Sequence, residues 1–219
     1  MKQYPVMLNL AGRRSIVIGG GSVAARKTRD LLDNDALVTV ISPEFNEAFN
    51  RLKSSYPDRI VMEQRPYRRG DLKGALIVFS ATNNSEINRE VFMEAQELNI
   101  FINAVDDPPN CTFTIPSSFK RGDLLVTVST GGVSPALSAR LRREIEKHIP
   151  ESVEITLAAL KEARNQLQTG DGFNSVSSEQ RGTILKQIVL DDNLLGELVT
   201  CFHAGTVKNF LARISTDKK

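Results

Sequence analysis

The chain has 219 residues, 41% of them hydrophobic and 25% charged, a balance that supports a packed core and excludes a disordered or collagen-like protein. Its 28 basic side chains barely outnumber the 26 acidic ones, and a net charge of +2 lacks the excess of a dedicated nucleic-acid binder. No apolar run reaches the length of a membrane span, and Pro5, Asn9 and Arg13 interrupt the N-terminal stretch that an export signal would need. In chain order, "SIVIGG" from Ser15 reads as a strand, and Val23 to Leu32 as a helix. "ALVTVI" (36–41), rich in β-branched residues, is the next strand, and "RIVMEQ" around Ile60 is a weaker one. "ALIVFSA" (75–81) is a further strand, followed by a helix over 85–98, and "IFINAV" (100–105) ends the series. Strands this continuously apolar are expected where helices cover both faces of a sheet, so the fold class is α/β, a Rossmann-type doubly wound parallel sheet.

After Asp106 the pattern changes. "CTFTIPSS" and "DLLVTVST" are strand-like segments separated by the polar turn "FKRGD", which suggests antiparallel pairing. Ser134-Pro135 has the form of a helix start, and Leu137, Leu141 and Ile145 recur every four residues through Lys147. Beyond Pro150 the chain reads as helical, with Val153, Leu157, Leu160 and Leu167 on one stripe, interrupted by the polar loop 169–178. The predicted organisation is a nucleotide-binding domain over 1–112, a small strand-rich region with one helix over 113–148, and a helical domain over 149–219.

Gly19, Gly21 and Ala24 form Gly-x-Gly-x-x-Ala between a strand and a helix. The first small residue allows a tight turn, the second lets a diphosphate approach the backbone, and the third lets helix and sheet pack closely. Free N–H groups and the helix dipole then favour the anion, which makes Gly19, Gly20, Gly21, Ser22, Val23 and Ala24 the expected cofactor cradle. A glycine turn that only packs strand against helix is the plainer alternative. The acid expected about twenty residues later is absent: Ser42 occupies that place and Glu44 lies beyond a proline. NAD and NADP both stay open on this reading, and so does a redox-sensing nucleotide module without chemistry.

Several stretches together resemble one family, the precorrin-2 dehydrogenases of siroheme synthesis, including the N-terminal module of fused siroheme synthases. They are "YPVMLNLAGRRSIVIGGGSVAARK", "FSATNNSEIN", "FINAVDDP", "FTIPSS" and "VTVSTGGVSPALSARLRREIE", which follow family order across residues 4–146. The resemblance implies NAD-dependent oxidation of precorrin-2, a tetrapyrrole, to sirohydrochlorin, and in some members insertion of ferrous iron as a second substrate to give siroheme. It implies a homodimer built through the middle region. Fused relatives carry a methyltransferase module that this sequence lacks, so methylation is expected of another protein.

On that resemblance Asp106, which follows the last parallel strand, is the catalytic candidate, a carboxylate to take the proton released as hydride leaves. By spacing alone the favoured reading is that Asp106 and Asp107 shape the turn before Pro108, and it is the resemblance that reverses this. Thr82 and Asn83 end a strand where a cofactor is expected, as does Asn103, although a loop cap and a satisfied turn side chain fit as well. Thr130 stands where some fused synthases carry a serine whose phosphorylation is associated with control. Gly131 and Gly132 suit close approach to a ligand or a sharp turn. A substrate rich in carboxylates calls for cations, and Lys120 and Arg140 are the candidates, with Arg142 read as an i, i+4 partner of Glu146. His148, His203, Cys111 and Cys201 have no metal-ligand spacing, so no metal site is expected; the cysteines fit reduced thiols of a cytoplasmic protein, Cys111 as a small core residue on a strand.

Overall fold

Residues 16–18 are alternately aimed at two different cores. In the computed structural model, which describes residues 3–216, β1 (Arg14–Ile18) sends Val17 to one face and Ile16 and Ile18 to the other. Every second residue of a strand shares a face, so a strand buried on both sides must be apolar throughout. The same holds for β2 (Leu37–Ser42) and β4 (Ile77–Ser80), while β3 (Ile60–Gln64) and β5 (Phe101–Ala104) flank them. All five run parallel in the order β3-β2-β1-β4-β5. This is the doubly wound α/β arrangement, with strand order reversing at β1.

On one face, α1 (Ser22–Leu32) and α2 (Ala48–Ser55) cover Val17, Val38, Val40 and Phe79, using Ala24, Ala25, Leu32 and Phe49. On the other, α3 (Ser85–Glu97) brings Val91 and Ala95 against Ile16, Ile18, Val78 and Ile102. The sequence pattern carries no signal for α2, whose eight residues bury only Phe49 and Leu52. These elements belong to a compact unit that ends at Ile115.

A second compact unit begins at Pro116. The strand expected over "CTFTIPSS" lies further along: β6 (Ser117–Arg121) pairs antiparallel with β7 (Leu124–Val128), and residues 111–116 are irregular. Gly122, with φ of +55°, opens the two-residue turn between them, so most of the segment read as a turn is strand instead. Cys111 accordingly follows a short 3-10 turn rather than sitting on a strand. The helices α4 (Pro135–His148), α5 (Val153–Thr169), α6 (Ser178–Leu190), α7 (Asp192–His203) and α8 (Val207–Thr216) complete the unit. The buried stripe of α5 runs through Ala159, Ala163 and Leu167, not through the bulkier Leu157, because small residues let α6, α7 and α8 approach. No described helix is long and apolar enough to cross a membrane.

Phe49 is fully buried and meets Phe45 edge-to-face at 5.1 Å between ring centroids. Phe49→Ala is expected to cost about 3–5 kcal/mol of stability, read as an earlier urea transition of the first unit; a loss under about 1 kcal/mol would mean that α2 contributes little to this core.

Candidate functional site

The reversal of strand order leaves a crevice outside the carboxyl ends of β1 and β4, where the three glycines emerge. Each has a separate physical reason. Gly19 has φ of +123° and donates its N–H to the Ile41 carbonyl at 2.9 Å; a Cβ there would fall well inside contact distance of the Ala81 carbonyl oxygen. Gly20 is pressed on the other side, where a Cβ would run into the Glu44 carbonyl, and its own carbonyl accepts the Asn46 N–H at 2.9 Å. Gly21 differs, since nothing of the protein lies within 4 Å of where its Cβ would stand.

Gly21 is also the N-cap of α1. No side chain bonds the first-turn N–H groups, and no acid occupies that turn. Ser22 and Val23 belong to this turn, and Ala24, fully buried, packs helix against sheet. Open space over a glycine, beside uncapped N–H groups at the positive end of a helix dipole, fits a dinucleotide diphosphate.

Around this cradle the predicted residues divide. Ser42, 7% exposed, donates its hydroxyl to the Glu44 carbonyl at 2.7 Å, which fastens the loop after β2 against the glycines; the Glu44 side chain is exposed. Thr82 is half-buried, and its Oγ1 accepts from the Asn84 N–H (3.2 Å) and reaches Asn88 Oδ1 (2.8 Å). Asn83 is exposed beside it, in a shallow depression shared with Asn84, Ser85 and Glu86. Asn88, for which the sequence reading had no role, is the hub of this loop; the signal was its place four residues after the cap Asn84.

At the end of β5, Asn103 donates its amide to the Phe113 carbonyl at 3.0 Å, so its N–H₂ is committed to the following segment. Cys111 donates its thiol to the Ala104 carbonyl at 3.1 Å, and burial pushes that thiol above its ordinary pKa. Asp106 has φ of +60° and is pinned on both sides by Val105 N–H to Ser80 O (2.9 Å) and Asp107 N–H to Ala104 O (3.3 Å). Among the described residues its carboxylate has no hydrogen-bond partner, whereas Asp107 Oδ2 accepts from Asn110 at 2.7 Å. The carboxyl end of β5 lies two strand spacings from β1, about 10 Å.

The remaining predicted residues lie in the second unit. Lys120 on β6 and Arg140 on α4 are exposed. Thr130 Oγ1 accepts from the Ser134 N–H at 3.1 Å and lies 3.0 Å from Ser138 Oγ, so it ties the loop to α4. Gly131 and Gly132 have φ of +64° and +84° with open space around them; turn geometry is what requires glycine there. Arg142 pairs with Glu146 as the spacing predicts, and His148 and His203 stand at helix ends. Among the described residues no three His, Cys, Asp or Glu side chains cluster as metal ligands.

Sheet order, glycine turn and uncapped helix define an NAD(P)-binding α/β protein of the Rossmann type. An NAD(P)-binding family model matches residues 6–117, more than half of the chain, and the sirohaem biosynthesis protein central model matches residues 121–148. The chain belongs to the NAD(P)-binding family whose model covers more than half of it. Siroheme synthase 2 of Halorhodospira halophila is 38% identical over 150 residues, which are 68% of this chain and 30% of that protein. Siroheme synthase of Methylobacillus flagellatus is 42% identical over 150 residues, 68% of this chain and 32% of that one. The chain thus spans about a third of the length of these curated relatives. A solved structure of SirC, precorrin-2 dehydrogenase, matches with a TM-score of 0.76 at 27% identity, covering 97% of this chain and 98% of that one.

The glycines provide a test of the cradle. Gly21→Ala is expected to keep the melting temperature, because its Cβ meets no protein atom, yet to weaken NAD binding about tenfold or more by filling the diphosphate's space. Gly20→Ala must displace the Glu44 backbone and is expected to lose stability as well. Unchanged NAD affinity in Gly21→Ala, measured by calorimetry, would argue against the cradle.

Proposed function

We propose that the chain is a cytoplasmic NAD-dependent dehydrogenase that oxidises precorrin-2 to sirohydrochlorin, with NADH and a proton as the other products. The observation that carries this reading is the open glycine cradle at β1 with a carboxylate, Asp106, at the end of β5 that has no hydrogen-bond partner among the described residues. The likeness to SirC, which extends over nearly the whole of both chains, supports the substrate.

NAD bound at the cradle would supply the hydride acceptor. Gly19 to Ala24 would hold its diphosphate through α1 N–H groups, and the loops carrying Ser42, Thr82, Asn83 and Asn103 would form the walls along it. Asp106 would receive the proton lost from the macrocycle carbon, a task suited to a carboxylate not already engaged in a hydrogen bond. In the second unit, Lys120 and Arg140, with the Thr130–Gly132 turn, have the chemistry suited to binding carboxylates.

Asparagine is the informative replacement for Asp106. It tolerates the left-handed backbone and removes only the charge. Asp106→Asn is expected to lower NADH formation from precorrin-2 by about 100-fold or more while leaving NAD affinity unchanged. Full turnover would remove Asp106 from the chemistry. NAD binding by the unmodified chain with no sirohydrochlorin spectrum would favour a redox-sensing module instead.

We also propose a homodimer, with 1–112 as nucleotide domain, 113–148 as dimerisation region and 149–219 as helical domain. Its support is the face of α4, where Leu137, Leu141 and Ile145 are 45%, 42% and 39% exposed and only Ser138 is buried. An apolar stripe of that kind is expected to be covered in the working assembly. Leu141→Glu should yield a monomer in sedimentation velocity; a dimer of unchanged strength would exclude α4 from the interface.

A further inference from the structure

The loop after β4 is held by a side chain of the following helix. Asn88, half-buried in the first turns of α3, accepts the Ser80 hydroxyl at 2.7 Å and the Thr82 hydroxyl at 2.8 Å on the same Oδ1. Its Nδ2 donates to the Thr82 carbonyl at 3.1 Å. Ser80 is fully buried at the end of β4, so this hydroxyl needs a protein partner. Between the two clasped residues lies Ala81, whose N–H donates to Ile18 O at 2.8 Å and whose carbonyl is the wall against which Gly19 turns.

We propose that Asn88 is a positioning residue for the dinucleotide: it touches no cofactor atom but sets the height of the Ala81–Thr82 backbone beside the glycine cradle. The inference rests on the dinucleotide reading above. The chemistry required is narrow. One oxygen must accept two hydroxyls while the neighbouring nitrogen donates to a carbonyl, and only an amide does both. Aspartate keeps the acceptor, loses the donor and sets a charge against the Thr82 carbonyl. Leucine keeps the volume and loses all three bonds. A hydroxyl has a single proton, and Asn88 Oδ1 (2.8 Å) and the Asn84 carbonyl (3.1 Å) both stand ready to accept that of Thr82, so it is not available to a cofactor. Thr82 therefore serves the loop, and the Asn88 amide is what transmits that service to the nucleotide.

The test measures NAD binding by calorimetry and, separately, steady-state kinetics on the full chain. Asn88→Leu is expected to raise the Kd and KM for NAD about tenfold, the effect of losing a buried hydrogen bond, while kcat stays within about twofold. Asn88→Asp should lie between Asn88→Leu and the unmodified chain. In a double-mutant cycle, Thr82→Val should weaken NAD binding alone and add clearly less in the Asn88→Leu background, because both remove the Thr82–Asn88 bond and only the Thr82–Asn84 bonds remain to be lost. Should Asn88→Leu not fold, Asn88→Asp and the Thr82→Val cycle in that background carry the test. Unchanged NAD affinity in a folded variant, or additive effects in the cycle, would overturn the inference while leaving the dinucleotide reading intact. An unmodified chain that fails to bind NAD would overturn both.

Discussion

Backbone meets backbone around the carboxyl end of β1, and the candidate site depends on that meeting. Gly19 lies against the Ala81 carbonyl and Gly20 against the Glu44 carbonyl, so the turn after β1 is gripped from both flanks by the loops after β4 and β2. Neither flank leaves room for a side chain. With the turn held there, Gly21 is left facing open space at the start of α1, and the helix presents N–H groups that no side chain among the described residues caps. An anion site built this way is made of backbone, and costs little reorganisation when a ligand arrives.

The rest of the first unit serves to hold those loops in place. Ser42 closes on Glu44, Asn46 closes on Gly20, and Asn88 clasps Ser80 and Thr82. Behind them, two apolar layers hold the strands, with Phe49 and Leu32 on one side and Val91 and Ile102 on the other. Strand register thus fixes where the glycines stand, and the loop bonds refine it.

Much of this fold was legible in the sequence because burial on both faces leaves an unmistakable apolar run. Ile16 to Ile18, Val38 to Ile41 and Ile77 to Phe79 could hardly be anything but central strands. The edges were harder. Helix α2 buries two residues and so has almost no periodic signal, and the strand expected at Cys111 was displaced to Ser117 because its Phe113 packs on Phe79 instead of joining a ladder. In α5 the core contacts pass through alanines, which hydrophobic patterning weighs less than the leucines beside them. The loop bonds were not legible at all. Whether Thr82 or Asn103 faces a ligand or a neighbouring carbonyl depends on contacts such as Thr82–Asn88 and Asn103–Phe113, and residue type does not tell these apart.

The left-handed backbone at Asp106 has a chemical corollary. At φ of +60° a residue with an ordinary side chain carries a penalty of about 1–2 kcal/mol, which glycine and, to a large degree, asparagine and aspartate escape. Of the two acidic amino acids, then, the shorter is the one this bend accommodates. The longer homologue would have to strain the chain before its oxygen atoms reached anything, so the conformation itself selects which acid stands at the end of β5.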